Sequence, residues 1–158
     1  MITLERDPAR AIGIRPAVSA VIFNRRGRLL LPQRSDGGQW GLPGGSVEIG
    51  ESVREAVVRE VREETGLTVA ARRLVGVYSA PALQLVRYPD GNVWHYVSMC
   101  FECTVRSGTL QTCDETLGPG VLSVAAAAVH ALGVPSGSYP RRVRSPGRAV
   151  HSLRGEDA

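Results

Sequence analysis

The chain has 158 residues, 43% of them hydrophobic and 22% charged. This composition indicates one globular domain and excludes a wholly disordered or collagen-like protein. All 19 basic residues are arginine, and the formal net charge is +4. Residues 116–158 carry five arginines against two acids, hence +3 of that charge. The nearly neutral remainder lacks the clustered basic face of a nucleic-acid-binding protein, and no apolar run reaches the roughly 20 residues that cross a membrane.

The three cysteines and the first residues bear on location. The opening residues lack the apolar segment of a secretory signal peptide, so we expect a protein of the reducing cytoplasm. Cys100 and Cys103 form a CxxC pair, but no second pair follows at the spacing of a zinc site. We therefore expect these two to be buried structural thiols.

Hydrophobic patterning and turn residues predict the following elements in chain order. Strands are expected over residues 17–23 and 29–31, joined by a turn at 24–28. Residues 35–50 contain six glycines and a proline and should form a loop. A helix should span residues 52–65, because Ser52 and Glu55 fit a capping box and Gly66 a C-terminal stop. Strands should follow over 67–79, 83–88 and 93–105, with a turn at 89–92, which together predict an α+β sandwich with a mixed sheet.

Three glutamates on the predicted helix are candidates for chemistry. Glu60, Glu63 and Glu64 stand at i, i+3 and i+4, which a 3.6-residue period places on one face. Converging carboxylates repel one another unless a cation lies among them, and oxygen ligands suit Mg²⁺ or Mn²⁺. The alternative is an ordinary charged surface that neighbouring arginines neutralise, and the helix taken alone favours that alternative.

The glycine-rich loop before the helix favours the metal site over an ordinary charged surface. It lets the backbone approach a metal-bound phosphate without obstruction by a Cβ. From Gly45, five residues lead to Glu51 and seven more to the run from Arg59 to Leu67, REVREETGL. This arrangement resembles the Nudix box of the Nudix hydrolases, with all nine defining positions present over 23 residues. The preceding residues 40–44, WGLPG, are similar to that family too.

The resemblance implies a Nudix fold, a mixed β-sheet sandwiched by helices, and hydrolysis of a nucleoside diphosphate linked to another moiety. It implies that Glu60, Glu63, Glu64 and the carbonyl of Gly44 bind Mg²⁺, with Mn²⁺ as the other candidate. Arg59 would be one of the catalytic-site residues, where it would hold the glutamates in place by ion pairing. The metal would neutralise the pyrophosphate while a deprotonated water attacks phosphorus.

The general base is less clearly indicated, because the family places it variably. Glu64 or Glu60 is our prediction, and Glu115 in a later loop is a third candidate. Glu51 would support the metal site or accept a hydrogen bond from the loop. The partner would be a small nucleotide derivative, with neither nucleic acid nor membrane, and members of the family often form homodimers.

Residues outside the box give weaker indications about substrate. Pro81 lies fifteen residues past Gly66, roughly where ADP-ribose-cleaving members often carry a proline, but a proline that ends a strand explains it equally well. Trp94 and Tyr96 share one face of a predicted strand and could stack a base; for aromatic residues on a sheet, however, we expect core packing. Two arginines, Arg34 and Arg87, could bind phosphates. Single arginines are, however, usually only solvated.

The C-terminal segment departs from the family pattern. We divide the chain into a Nudix domain at residues 1–117 and an atypical tail at 118–158 in place of the usual closing strand and helix. The tail is rich in Pro, Gly, Ala and Arg, and a one-base shift could restore family-like residues, so we hypothesise a frameshift near 117–120. We expect little regular structure there beyond an Ala-rich helix over 121–132. A Nudix-fold protein that binds nucleotides without cleaving them, and an inactive remnant, are the two alternatives to an enzyme.

Overall fold

The computed structural model describes residues 2–34, 40–111 and 116–122, with the backbone alone for residue 34 and for 116–122. Seven strands, two α-helices and a 3₁₀ turn at Pro8–Arg10 make up this part of the chain. The strands are β1 (Thr3–Leu4), β2 (Ala11–Ile22), β3 (Leu29–Arg34), β4 (Leu67–Tyr78), β5 (Leu85–Arg87), β6 (Val93–Gly108) and β7 (Thr116–Leu122), and the helices are α1 (Val53–Thr65) and α2 (Pro81–Gln84). In these ranges no helix is long and apolar enough to span a bilayer.

Helix α1 begins and ends where the sequence predicts. The Ser52 side chain accepts from the backbone N–H of Glu55, while the Glu55 carboxylate accepts from the backbone N–H of Ser52 at 2.8 Å. Gly66 then adopts a left-handed conformation with φ of 75° and closes the helix with a hydrogen bond to the carbonyl of Arg62. The predicted capping box and glycine stop are confirmed.

The main sheet is mixed and centres on β6. Strand β2 runs parallel to β6 along one edge, while β4 and β5 pair antiparallel with successive parts of its other edge. Strand β1 extends the sheet beyond β5. A mixed sheet with a packed helix is the predicted α+β arrangement, and it is confirmed.

Alternation along the strands produces a core on each face of the sheet. One face packs against α1, whose Ala56, Val57 and Val61 are fully buried. The opposite face forms a smaller cluster around Val21 and Cys100, to which β3 contributes apolar side chains. Burial of this kind stabilises the folded state by roughly 25 cal/mol per Å² of apolar surface. The packing of α1 against the sheet therefore fixes the position of the helix.

Several strand limits differ from prediction. Strand β2 begins at Ala11 rather than residue 17, since its pairing with β6 continues through a half-exposed stretch that the apolar pattern does not reveal. Residues 83–84, predicted as strand, lie in α2, which starts at Pro81 because the ring pre-sets a helical φ at the first position. Strand β6 runs on to Gly108 instead of ending at 105.

The tail begins in regular structure. Strand β7 pairs antiparallel with β3, residues 116–122 facing residues 29–34. The expectation of little regular structure is therefore wrong for residues 118–122, and the proposed boundary at 118 falls inside this strand. Residues 123–158, which include most of the predicted Ala-rich helix, lie outside the described ranges.

Candidate functional site

The segment after Trp40 is an ordered part of the sheet edge. The amides of Val18 and Ala20 on β2 donate to the carbonyls of Gly45 and Pro43 at 2.8 Å, and the amide of Val47 donates to the carbonyl of Pro16 at 3.0 Å. These bonds fix residues 43–47 along the free edge of β2. Residues 35–39 of the predicted loop lie outside the described part of the chain.

Two adjacent glycines let this segment approach its neighbours closely. A Cβ on Gly44 would lie 2.1 Å from the backbone oxygen of Val18, and one on Gly45 would lie 2.5–2.7 Å from the carboxylate of Glu60. Gly44 also has a φ of 154°, which side-chain-bearing residues rarely adopt. The backbone therefore reaches the acidic face of α1 only because neither residue carries a side chain.

Arg59 links the loop to the acidic residues of α1. Its guanidinium donates to Glu51 at 2.6 Å, to Glu60 at 2.9 Å and to Glu63 at 3.1 Å. It also donates to the carbonyl of Ser46 at 3.0 Å, which ties the helix to the loop. The bond to Arg59 lowers the pKa of Glu51, and the bond to Glu51 is the largest cause that raises the pKa of Arg59. The pair formed by Arg59 and Glu51 thus stays ionised throughout the physiological range.

The three predicted glutamates occupy different environments. Glu64 is only 9% exposed and accepts from the backbone N–H of Gly44 at 2.9 Å. The side chain of Glu60 is 14% exposed, whereas that of Glu63 is 60% exposed. One carboxylate therefore contacts the loop backbone directly, a second fills the space over Gly45, and the third faces solvent.

The arrangement has the ligand chemistry for a hard divalent cation. Every candidate donor is a carboxylate or carbonyl oxygen, the type that Mg²⁺ and Mn²⁺ prefer. Across residues 2–34 and 40–111, no three His, Cys, Asp or Glu side chains stand together as a ready metal cluster. Glu60 and Glu63 instead form ion pairs with Arg59, at 2.9 and 3.1 Å. The donors fit a metal, which would have to compete with that arginine.

Of the other predicted residues, those that the structure describes have contacts outside this group. Pro81 is exposed at the start of α2, and Arg87 forms an ion pair with Glu5. Cys100 and Cys103 are buried and free, as predicted, and belong to clusters on opposite faces of the sheet. The side chain of Arg34 and the whole of Glu115 lie outside what the structure describes.

The expectation that Trp94 and Tyr96 pack in the core is wrong. Both are half-buried, and neither belongs to the two buried clusters. Their face of β6 instead carries Arg15, from the neighbouring strand, over the Trp94 ring at 4.0 Å from its centroid.

Sequence reasoning missed two contacts that organise the site. The bond from the Gly44 amide to Glu64 joins residues 20 positions apart, and the bond from Arg59 to the Ser46 carbonyl joins residues 13 apart. No side-chain pattern signals a backbone donor or acceptor. The two adjacent glycines were the available sign that a close backbone approach was required.

Comparisons with known proteins agree with this geometry. A family model described as the NUDIX domain matches residues 13–139. The chain is 42% identical over 106 residues to an ADP-ribose pyrophosphatase of Methanocaldococcus jannaschii, covering 65% of this chain and 59% of that protein's length. It is 34% identical to a MutT-like protein of Streptomyces ambofaciens, covering 73% of this chain and 71% of that protein. A crystal structure of an ADP-ribose pyrophosphatase from Streptococcus suis superposes with a TM-score of 0.53 at 31% identity, covering 67% of this chain and 71% of that one.

Proposed function

Because this chain belongs to the Nudix hydrolase family, we propose that it hydrolyses the pyrophosphate bond of a nucleoside diphosphate linked to another moiety. The observation that carries the proposal is the Arg59-centred group of glutamates held against the paired glycines. ADP-ribose is the favoured substrate, since the archaeal and streptococcal relatives are ADP-ribose pyrophosphatases. The products would be AMP and ribose 5-phosphate.

Four groups would hold the metal in this proposal. The carboxylates are Glu60, Glu63 and Glu64, and the carbonyl of Gly44 would add a backbone oxygen. When bound, Mg²⁺ or Mn²⁺ supplies charge neutralisation on the pyrophosphate and on its leaving group. The absence of a side chain at Gly45 supports this assignment, because a Cβ there would displace the Glu60 carboxylate.

The protein's own residues would then position and deprotonate the attacking water. Glu64, or Glu60, accepts the proton as the water oxygen bonds to phosphorus, and the P–O bond to the leaving phosphate breaks. The bond from the Gly44 amide holds Glu64 in one orientation, so little reorganisation is needed. Glu115 remains a candidate base. Arg59 acts as a positioning residue, and Glu51 holds Arg59 in turn.

There are two alternatives to a hydrolase. A non-catalytic nucleotide-binding protein would bind without cleavage; all the box carboxylates are present here, which favours the enzyme. An inactive frameshifted remnant would fail to fold cooperatively, and the pairing of β7 with β3 favours a folded domain. A cytoplasmic location and a homodimer remain predictions.

Thermal melting combined with product analysis separates the three. The chain is melted with and without Mg²⁺ and ADP-ribose, and the same samples are analysed for AMP by chromatography. A cooperative melt with AMP release supports the enzyme, and ligand-dependent stabilisation without AMP supports the binding protein. Absence of a cooperative melt supports the remnant. Glu64→Gln is the matched control, because the amide keeps an acceptor for Gly44 but removes the carboxylate.

A further inference from the structure

The N-terminal half of β2 forms an uncovered edge of the main sheet. Strand β2 is the last strand of the sheet on its side, and the segment 43–47 bonds only to residues 16–20 along its outer edge. The segment then turns away at residues 49–50. Among the residues that the structure describes, no strand pairs with residues 11–15 on that side. We call residues 11–15 the open edge.

The open edge directs both backbone groups and apolar side chains outward. Along β2 the even-numbered residues turn their N–H and C=O groups away from β6, since the amides of Val18 and Ala20 donate to the segment 43–47. Ile14 therefore presents an amide and a carbonyl at the edge, and Ile12 follows the same alternation beside a β-bulge. Their side chains are 67% and 59% exposed, and Ile49, in the turn that ends the segment, is fully exposed. A strand edge of this kind is a template for pairing with another chain.

The open edge is complementary to a second copy of itself. Gly13 is its middle residue, so antiparallel pairing about a twofold axis through Gly13 sets Ile12 of each copy opposite Ile14 of the other. Both isoleucines direct backbone groups outward, as the hydrogen-bonded pairs of an antiparallel ladder require, and the two pairs would form four inter-chain hydrogen bonds. A shift of register in either direction would bring an isoleucine opposite Pro16, which is already bonded to the segment 43–47, or opposite the 3₁₀ turn.

Charge complementarity also favours a second copy as the occupant. In this register the 3₁₀ turn of one copy would lie beside the end of the segment 43–47 of the other, which would bring Arg10 of one copy near Glu48 of the other. Both side chains are more than half exposed. Their ion pairs within one copy are long, at 3.6 Å from Arg10 to Glu5 and 3.9 Å from Glu48 to Arg59. The twofold axis would form the complementary pair twice.

We propose that the open edge pairs with the open edge of a second copy, so that the two main sheets join across a twofold axis. Each copy contributes three isoleucines to the interface, and its Arg10 lies at the rim of the other copy's acidic site, next to Glu48. The interface is small and the β-bulge twists the strand, so the dimer should dissociate on dilution. The proposal is independent of the substrate and of the proposed hydrolysis.

Analytical ultracentrifugation over about 1 µM to 1 mM protein tests the interface. The wild type should change from monomer to dimer as its concentration rises. Ile14→Lys should raise the dissociation constant about 100-fold or more, because the apolar contact is lost in both copies. Val77→Lys is the matched control, since Val77 is 55% exposed on β4, which β6 separates from the open edge; it should dimerise like the wild type. A wild type that stays monomeric throughout, or an Ile14→Lys protein that dimerises equally well, overturns the proposal.

Charge reversal gives an independent readout that leaves the strand unchanged. Arg10→Glu and Glu48→Arg should each raise the dissociation constant about tenfold, because each turns two attractive pairs into repulsive ones. The double variant should recover the wild-type dissociation constant, since the pairs form again with reversed sign. If the two effects simply add in the double variant, Arg10 and Glu48 do not meet across the interface and the proposed register is wrong.

Discussion

Alanine substitutions at Gly44 and Gly45 should produce different defects, although the two glycines are neighbours. The first should mainly reduce stability and the second mainly activity. In Gly44→Ala the new methyl would lie 2.1 Å from the backbone oxygen of Val18 and 2.7 Å from the Cα of Ser19. Neither atom can rotate away, so β2 or the loop must move. Overpacking costs about 1–3 kcal/mol and an unfavourable φ a further 1–3 kcal/mol. We expect a loss of about 2–6 kcal/mol, or roughly 4–24 °C in melting temperature for a chain of this size.

In Gly45→Ala the methyl meets only the carboxylate of Glu60, at 2.5–2.7 Å. That group ends a flexible side chain and can swing aside, so the melting temperature should fall by only a few degrees. Its displacement should nevertheless reduce kcat about 100-fold, since a misplacement near 1 Å costs that much. Stabilisation by Mg²⁺ should also weaken.

Calorimetry and steady-state kinetics on the two variants decide the matter. Gly41→Ala is the control, because a Cβ there would meet nothing within 4 Å, and it should resemble the wild type. A Gly44→Ala protein that melts with the wild type would contradict the collision argument. A fully active Gly45→Ala protein would show that Glu60 does not contribute to the active site.

Three further outcomes follow from the same contacts. Glu64→Gln should keep the bond from the loop amide, melt near the wild-type temperature, and lose about 10²- to 10⁴-fold in kcat, the range for a general base; wild-type turnover would exclude Glu64 from that role. Arg59→Ala should destabilise the protein at neutral pH. Because Arg59 lowers the pKa of Glu51 from 4.5, the pair's contribution is complete above that pH and lost below it, so melting curves of the two proteins should converge in acid; a gap that stays constant would contradict this. Burial raises the pKa of Cys103 to about 12 and also raises that of Cys100, so peptide mapping should find both thiols unalkylated at pH 8 until denaturant is added, and rapid labelling in the native protein would disprove their burial.

The helix and the box residues could be predicted because their signals are local. Ser52, Glu55 and Gly66 act within one turn of the helix ends, and the 3.6-residue period places the glutamates on one face. Hydrophobic alternation likewise located the central strands. Local pattern was sufficient wherever the determining contact lay within a few residues.

Contacts between distant segments were not predictable in the same way. The first half of β2 is held by its parallel register with β6 rather than by an apolar pattern, and β7 exists because residues 116–122 meet the edge of β3. Arg15 stacks on Trp94 across two strands whose register the sequence does not state. Tertiary pairing overrides local composition in each case.

Incubation of ADP-ribose with the purified chain and Mg²⁺ is the direct test of pyrophosphate hydrolysis. AMP and ribose 5-phosphate should form in equal amounts, and a chelator should abolish product formation until Mg²⁺ or Mn²⁺ is added back. The Glu64→Gln protein, folded to the same extent, should release little AMP. A cooperatively folded wild-type protein that releases no nucleoside monophosphate from ADP-ribose or other nucleoside diphosphate derivatives, at any metal concentration, would show that the chain is not such a hydrolase.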